Sequence, residues 1–244
     1  RDGDRILTVI RGSAVNHEGA ASGIAVPNGP AQTRVIRSAL EQAGIAPGEV
    51  DYLEAHGTGT SLGAPIEVQA AAAALGPGRP ADRPLLVGSV KTNVGHLEAA
   101  AGSAGLIKVV LALQHARIPR HLHFHDPNPH IPWAELPVRV TQEATAWPKP
   151  RRVAGVSAFG FSGTNAHVVL EGAAAPAEAE APAPAAYVLP LSAKTEAALQ
   201  ALAARYAAWW MAHPEAALGD VSFTLATGRS HLEQRAALVA GSVE

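Results

Sequence analysis

Three polar, glycine-bearing segments interrupt an otherwise apolar pattern, and between them they hold the side chains best suited to chemistry. They are His56-Gly57-Thr58-Gly59-Thr60, Lys91-Thr92-Asn93-Val94-Gly95-His96 and Gly160-Phe161-Ser162-Gly163-Thr164-Asn165-Ala166-His167. His56 stands on a glycine-flanked turn, which presents a ring without steric cost from its neighbours. His96 stands at or just before a predicted helix start, where the positive end of the helix dipole disfavours imidazolium and a neutral ring is expected. Two neutral imidazoles aimed at one point make a pair of donors for a developing oxyanion. Losing one such donor typically costs about 3 kcal/mol of transition-state stabilisation. Thr58 and Thr60 offer hydroxyls beside that point. A lone histidine more often merely satisfies a loop, but three such turns at three strand ends favour a site.

Other chemistries fit less well. The stretch from Gly57 to Gly63 lacks the Gly-Lys-Ser/Thr ending of a phosphate-binding loop. Ser162 is followed by Thr164 where a hydrolase nucleophile elbow needs glycine. His121, His123, His125 and His130 invite a zinc reading. That run is broken by Pro119, Pro127, Pro129 and Pro132, with Asp126 its one obvious carboxylate, so it reads as an ordered proline-rich surface loop set apart from the two candidate histidines. Trp209 and Trp210 read as helix packing, one ring buried and the other at an interface. The 244 residues contain no cysteine. Disulfides, thiolate metal sites and a cysteine nucleophile within these residues are therefore excluded.

The elements that must position these residues alternate along the chain. Ile6–Val15 and Val50–Ala55 read as strands. Between them Val35, Ile36, Ala39, Leu40 and Ala43 recur at helical spacing over Ala31–Ala43, with Gly44 as the stop. Pro65–Leu75 is a second helix, Leu85–Val90 a short strand, and Gly95–His115 a helix apolar around most of its girth, which predicts a central, buried one. Val153–Ser157 and Ala166–Leu170 are two strands about a glycine-rich turn. The alternation predicts an α/β layered domain. Residues 172–186 are Ala/Pro-rich and read as a linker. Beyond it, Thr195–His213, Asp220–Thr227 and Ala236–Ala240 form a small α/β piece. A net charge of −2 without a basic block argues against a nucleic-acid or anionic-membrane partner. The charged start, Arg1-Asp2-Gly3-Asp4-Arg5, is no signal peptide, and no apolar run reaches the roughly 18 residues of a span. A cytoplasmic protein is expected.

Three ordered blocks resemble the signatures of β-ketoacyl synthases: Glu54-Ala55-His56-Gly57-Thr58-Gly59-Thr60, Gly88-Ser89-Val90-Lys91-Thr92-Asn93-Val94-Gly95-His96, and Phe159 through His167. Val15-Asn16-His17-Glu18-Gly19 with Pro27-Asn28-Gly29-Pro30 resembles a fourth. Ser162 leans toward the ketosynthase domains of modular type I polyketide synthases. The likeness runs from Arg1 to about Glu171. From Tyr187 onward, Leu189-Pro190-Leu191-Ser192-Ala193-Lys194-Thr195 resembles the linker domain between ketosynthase and acyltransferase.

The resemblance implies a thiolase-like fold, of which this chain is the second half: residues 1–171 as the C-terminal half of the ketosynthase, 172–186 as linker, and 187–244 as part of the ketosynthase-to-acyltransferase domain. It implies a Cys-His-His site for decarboxylative condensation of an acyl thioester with a malonyl-type extender. His56 and His96 would stabilise the enolate oxygen, and Lys91 would organise the site electrostatically. Thr58 and Thr60 would line the phosphopantetheine arm, Phe161 would lie on a gating loop, and Asn165 would hold that loop in shape. No cofactor is bound directly, because the substrates ride on the phosphopantetheine of an acyl carrier protein. Implied partners are the missing N-terminal half with its cysteine, the acyl carrier protein, the adjacent acyltransferase domain and a second copy in a homodimer. Truncation is the economical reading of the absent cysteine, and the chain alone is expected to be inactive. Two alternatives stay open: a non-catalytic scaffold or docking segment, and a decarboxylase-only loading ketosynthase whose upstream half carries glutamine.

Overall fold

The computed structural model describes residues 6–19, 23, 26–173 and 184–242. Most of the expected Ala/Pro-rich linker, residues 174–183, lies outside the described residues. The chain divides into two compact units, Arg1–Pro176 and Ala177–Glu244.

The first unit runs β1 (Thr8–His17), α1 (Gly29–Ala43), β2 (Tyr52–Glu54), α2 (Gly63–Leu75), β3 (Leu85–Gly88), α3 (Lys91–Val94), α4 (Ala101–Gln114), β4 (Arg117–Ile118), β5 (Val138–Val140), β6 (Thr145–Ala146), β7 (Val153–Phe159) and β8 (Thr164–Gly172). Six strands form one sheet in the order β1-β8-β7-β2-β3-β5, while β4 and β6 pair separately. β7, β2, β3 and β5 are mutually parallel, β8 pairs antiparallel with β7, and β1 pairs antiparallel with β8 at that edge.

Strand alternation sorts side chains to two cores. Leu53, Leu85, Val87 and Val169 pack with Val35, Ile36, Leu40 and Leu75 of α1 and α2. Tyr52, Leu86, Val156 and Leu170 pack with Val109 and Leu113 of α4. The start of α1 is set locally: Asn28 Oδ1 accepts from Ala31 N at 3.0 Å and Pro30 occupies the first turn. Gly44 closes it in the left-handed conformation, φ 62°.

One long-helix expectation is corrected. The helix predicted over Gly95–His115 begins only at Ala101, after the single turn of α3 and a 3₁₀ turn over Glu98–Ala100. Gly95, at φ 75° and ψ −172°, breaks the chain there. Nor is α4 buried all round: Val109 and Leu113 are buried, whereas Ile107 and Leu111 are 60% and 49% exposed. Apolarity on every side of a helix demands cover on every side, and the sheet supplies only one.

The second unit pairs β9 (Tyr187–Ala193) with β10 (Gln234–Ala240) antiparallel, with α5 (Glu196–Ala212) and α6 (Leu218–Thr227) between them in sequence. Leu189, Leu191 and Leu225 form its core with Leu199, Leu202, Tyr206 and Trp210 packed around them. Trp210 joins that core while Trp209 is exposed, the two rings edge-on at 6.0 Å. Among the described residues, no helix is long and apolar enough to cross a membrane.

Candidate functional site

β7, β2 and β3 lie side by side and parallel, so the three turns that follow them leave the same end of the sheet. His56 stands two residues beyond β2, Lys91 opens α3 just beyond β3, and Phe159 ends β7. Ala55 N donates to Gly88 O at 2.9 Å, which carries the β2–β3 pairing up to the loops themselves.

This arrangement brings two of the sequence's candidates together. The His56 and His96 ring centroids are 5.4 Å apart at an interplanar angle of 80°, with Phe159 5.8 Å from His56. Each ring has its Nδ1 occupied by a backbone amide: Phe159 N donates to His56 at 3.3 Å, and Glu98 N donates to His96 at 2.9 Å. A backbone N–H can only donate, so Nδ1 must carry a lone pair, and the neutral ring keeps its proton on Nε2. Both histidines are thereby left as Nε2–H donors.

The surroundings fix that state. His56 is half-buried, and burial, with the charge of Lys91 and then His96, pushes its pKa down to about 4. It is neutral throughout the physiological range. The helix-dipole reason for a neutral His96 does not apply, because α4 starts five residues later. Its tautomer is set instead by Glu98, whose backbone takes a left-handed φ of 48° and aims its N–H back at the ring.

Burial also holds the Lys91 ammonium below its ordinary value, opposed by the carboxylates of Glu67 and Glu54. Glu67, missed in the sequence, grips the turn from beneath: its two oxygens accept from His56 N at 2.7 Å and Gly57 N at 2.9 Å. Burial pushes its carboxyl up, offset by those two amides and by Lys91. Gly57 permits the turn, since its φ is +57° and a Cβ there would meet Ser89 Cβ at 2.7 Å.

The remaining candidates are placed as follows. Thr58 and Thr60 are exposed on the same turn, and Thr60 Oγ1 accepts from Gly63 N at 3.1 Å, leading into α2. Phe161 is 80% exposed at the tip of the β7–β8 turn. Asn165 is fully buried opposite Phe159 in the register, and its Nδ2 donates to Asn16 Oδ1 at 3.3 Å on β1. The direct hydrogen bonds to the β7–β8 turn come from elsewhere: His17 Nε2 lies 3.0 Å from Ser162 O, and Glu18 N donates to Gly163 O at 2.8 Å.

His121 corrects a further expectation. It does not stand apart from the site: its Nδ1 accepts from Ser89 N at 3.1 Å, bracing the turn that carries Lys91. No group of three or more His, Asp or Glu side chains is placed to hold a metal ion among the described residues.

Comparison with known proteins agrees with the signature blocks. Residues 7–125 match the β-ketoacyl synthase C-terminal domain, and residues 127–239 match the ketoacyl-synthetase C-terminal extension. Erythronolide synthase EryA3 of Saccharopolyspora erythraea is 52% identical over 243 residues, covering 98% of this chain and 8% of that protein. The spectinabilin polyketide synthase system protein NorA of Streptomyces orinoci is 50% identical over 248 residues, 98% of this chain and 13% of that protein. Among solved structures, the oxazolomycin ketosynthase domain OzmH KS7 of a Streptomyces albus strain superposes with a TM-score of 0.82 at 41% identity, covering 99% of this chain and 42% of that one. The ketosynthase from module 6 of the Bacillus subtilis bacillaene synthase gives 0.80 at 36% identity, with the same two coverages. The chain thus spans under half of these ketosynthase structures and a small part of the curated relatives.

Proposed function

This chain belongs to the β-ketoacyl synthase family, as its C-terminal domain followed by the C-terminal extension in a thiolase-like fold, and from that we propose that it supplies the histidine half of a condensing site. The nucleophile comes from a cysteine-bearing N-terminal half, since none of the 244 residues is cysteine. That cysteine takes an acyl group from one carrier thioester and releases the carrier thiol. A malonyl-type thioester on a second carrier then loses carbon dioxide. The electron pair of the broken C–C bond becomes an enolate, whose oxygen accepts from Nε2–H of His56 and His96. The enolate carbon attacks the acyl carbonyl and expels the cysteine thiolate.

The observation that carries this reading is the pair of occupied Nδ1 atoms on rings 5.4 Å apart, which makes both histidines donors rather than bases. Burial first, and then the positive charge of nearby Lys91, keeps His56 neutral. Thr58 and Thr60 line the approach of a phosphopantetheine arm, Phe161 covers it from the β7–β8 turn, and Asn165 holds that turn in shape from its base, where it ties β8 to β1 through Asn16.

We assign residues 1–171 to the ketosynthase, 172–186 to the linker and 187–244 to the ketosynthase-to-acyltransferase domain. Ile107 and Leu111 of α4, and Val94 and Leu97 in the segment before it, are exposed, and we assign them to the surface the N-terminal half covers. Acyl carrier protein, an adjacent acyltransferase domain and a second copy complete the assembly.

The test joins this chain to a cysteine-bearing N-terminal half and measures carbon dioxide release from malonyl carrier beside the mass of the acyl-enzyme. His56→Ala and His96→Ala should each slow decarboxylation by about 100-fold or more, with cysteine acylation retained in at least one. Near-normal decarboxylation in both would leave the scaffold reading in its place.

A further inference from the structure

A buried charge cluster lies beneath the site on the α4 side of the sheet. The Tyr52 hydroxyl donates to Glu54 Oε2 at 2.7 Å and accepts from Lys108 Nζ at 2.9 Å, and Lys108 Nζ also pairs with Glu54 Oε2 at 2.7 Å. The other oxygen, Oε1, accepts from Val90 N. Glu54 ends the strand that delivers His56, Val90 immediately precedes Lys91, and Lys108 sits in α4, the helix that follows His96. One carboxylate therefore ties the strand that leads to His56 to the segment that carries Lys91 and His96 and to the helix that follows it. The space is reserved for it: a Cβ on Gly88 would fall 2.7 Å from Tyr52 Oη, and one on Gly105 would fall 3.1 Å from Glu54 Cγ.

We propose that Glu54, Tyr52 and Lys108 form a buried brace that positions the Lys91–His96 loop against His56, and are positioning residues for the decarboxylation step; this rests on the function proposed above. A buried ion pair is a poor means of gaining stability, because apolar residues of similar volume often do as well or better. What it supplies here is direction. Lys108 and Tyr52 hold Oε2, which aims Oε1 at Val90 N. Val90 opens the turn from which His96 is presented, so a slack Val90 lets the two donors drift from their common point. Small misplacements of that kind are costly in rate.

The test separates position from stability with two charge-balanced double variants in the complete ketosynthase. Glu54→Gln/Lys108→Met keeps a carbonyl oxygen for Val90 N, and Glu54→Leu/Lys108→Met removes it. Both should fold with similar thermal midpoints and acylate the cysteine normally. The Gln variant should retain decarboxylation within about threefold, while the Leu variant should lose about 10-fold or more. Equal decarboxylation in the two would overturn the proposal. Should the Leu variant not fold, Gly105→Ala tests the same point by crowding Glu54 Cγ at 3.1 Å and so shifting its carboxylate against Val90 N. Decarboxylation should fall with acylation kept, and a wild-type rate would again overturn the brace. His56→Ala runs beside them as reference. If it lowers decarboxylation and the brace variants do not, the brace alone fails. If His56→Ala has no effect either, both readings fall.

Discussion

Acid should destabilise this domain most strongly at one residue remote from substrate, His167. Its ring is fully buried in β8, its Nδ1 is 2.9 Å from Ser157 Oγ, and its Nε2 has no partner. Burial alone pushes its pKa from 6.5 to about 3. The unfolded chain takes up the proton near 6.5, whereas the folded chain refuses it until about 3, so unfolding is favoured as pH falls through that window. The stabilisation is fully present above pH 6.5. At about 1.4 kcal/mol per pH unit, the whole gap is worth on the order of 5 kcal/mol, comparable with the 5–15 kcal/mol that holds an entire domain together. His167→Asn places an oxygen where Nδ1 stood, keeps a partner for Ser157 and cannot titrate. It should cost a roughly constant 1–3 kcal/mol for the lost ring volume. Urea unfolding at pH 7, 6 and 5 should show wild type ahead at pH 7, with its lead shrinking by about 1.4 kcal/mol per unit below 6.5 until the two meet near pH 5. A lead unchanged from pH 7 to pH 5 would refute the buried, neutral imidazole.

Three further outcomes follow from the same geometry. Glu67→Ala leaves His56 N and Gly57 N without an acceptor and should cost about 2–4 kcal/mol in urea unfolding, with decarboxylation falling more than cysteine acylation in the complete domain. Gly57→Ala forces a Cβ to 2.7 Å from Ser89 at a left-handed φ, and should lower both the thermal midpoint and carbon dioxide release. The chain alone, incubated with acyl thioesters, should show no stoichiometric adduct by intact mass, since it offers no thiolate and Ser157, which is hydrogen-bonded to His167, is buried.

What was legible in the sequence is what short-range interactions decide. Asn28, Pro30 and Gly44 mark α1 because capping and left-handed backbone act within a turn. The period of Val35, Ile36, Ala39 and Leu40 names its buried face, and the polar glycine turns announce themselves where apolar strands stop. The blocks around His56, Lys91, His96 and Asn165 pointed to the family for the same reason: they are contiguous. The long-range contacts were not legible. Only the sheet order β7-β2-β3 puts Phe159 N, 103 residues away in sequence, onto His56 and so selects its tautomer. The sequence assigned no role of their own to Glu54 and Glu67, which become a brace and a cradle only once buried beneath amides from other segments. The expected helix from Gly95 was wrong at its start because apolar periodicity cannot register a left-handed glycine followed by a 3₁₀ turn, which spends six residues on aiming His96 before α4 begins. Residue type and spacing supplied two donors, and tertiary structure decided which nitrogen of each carries the proton.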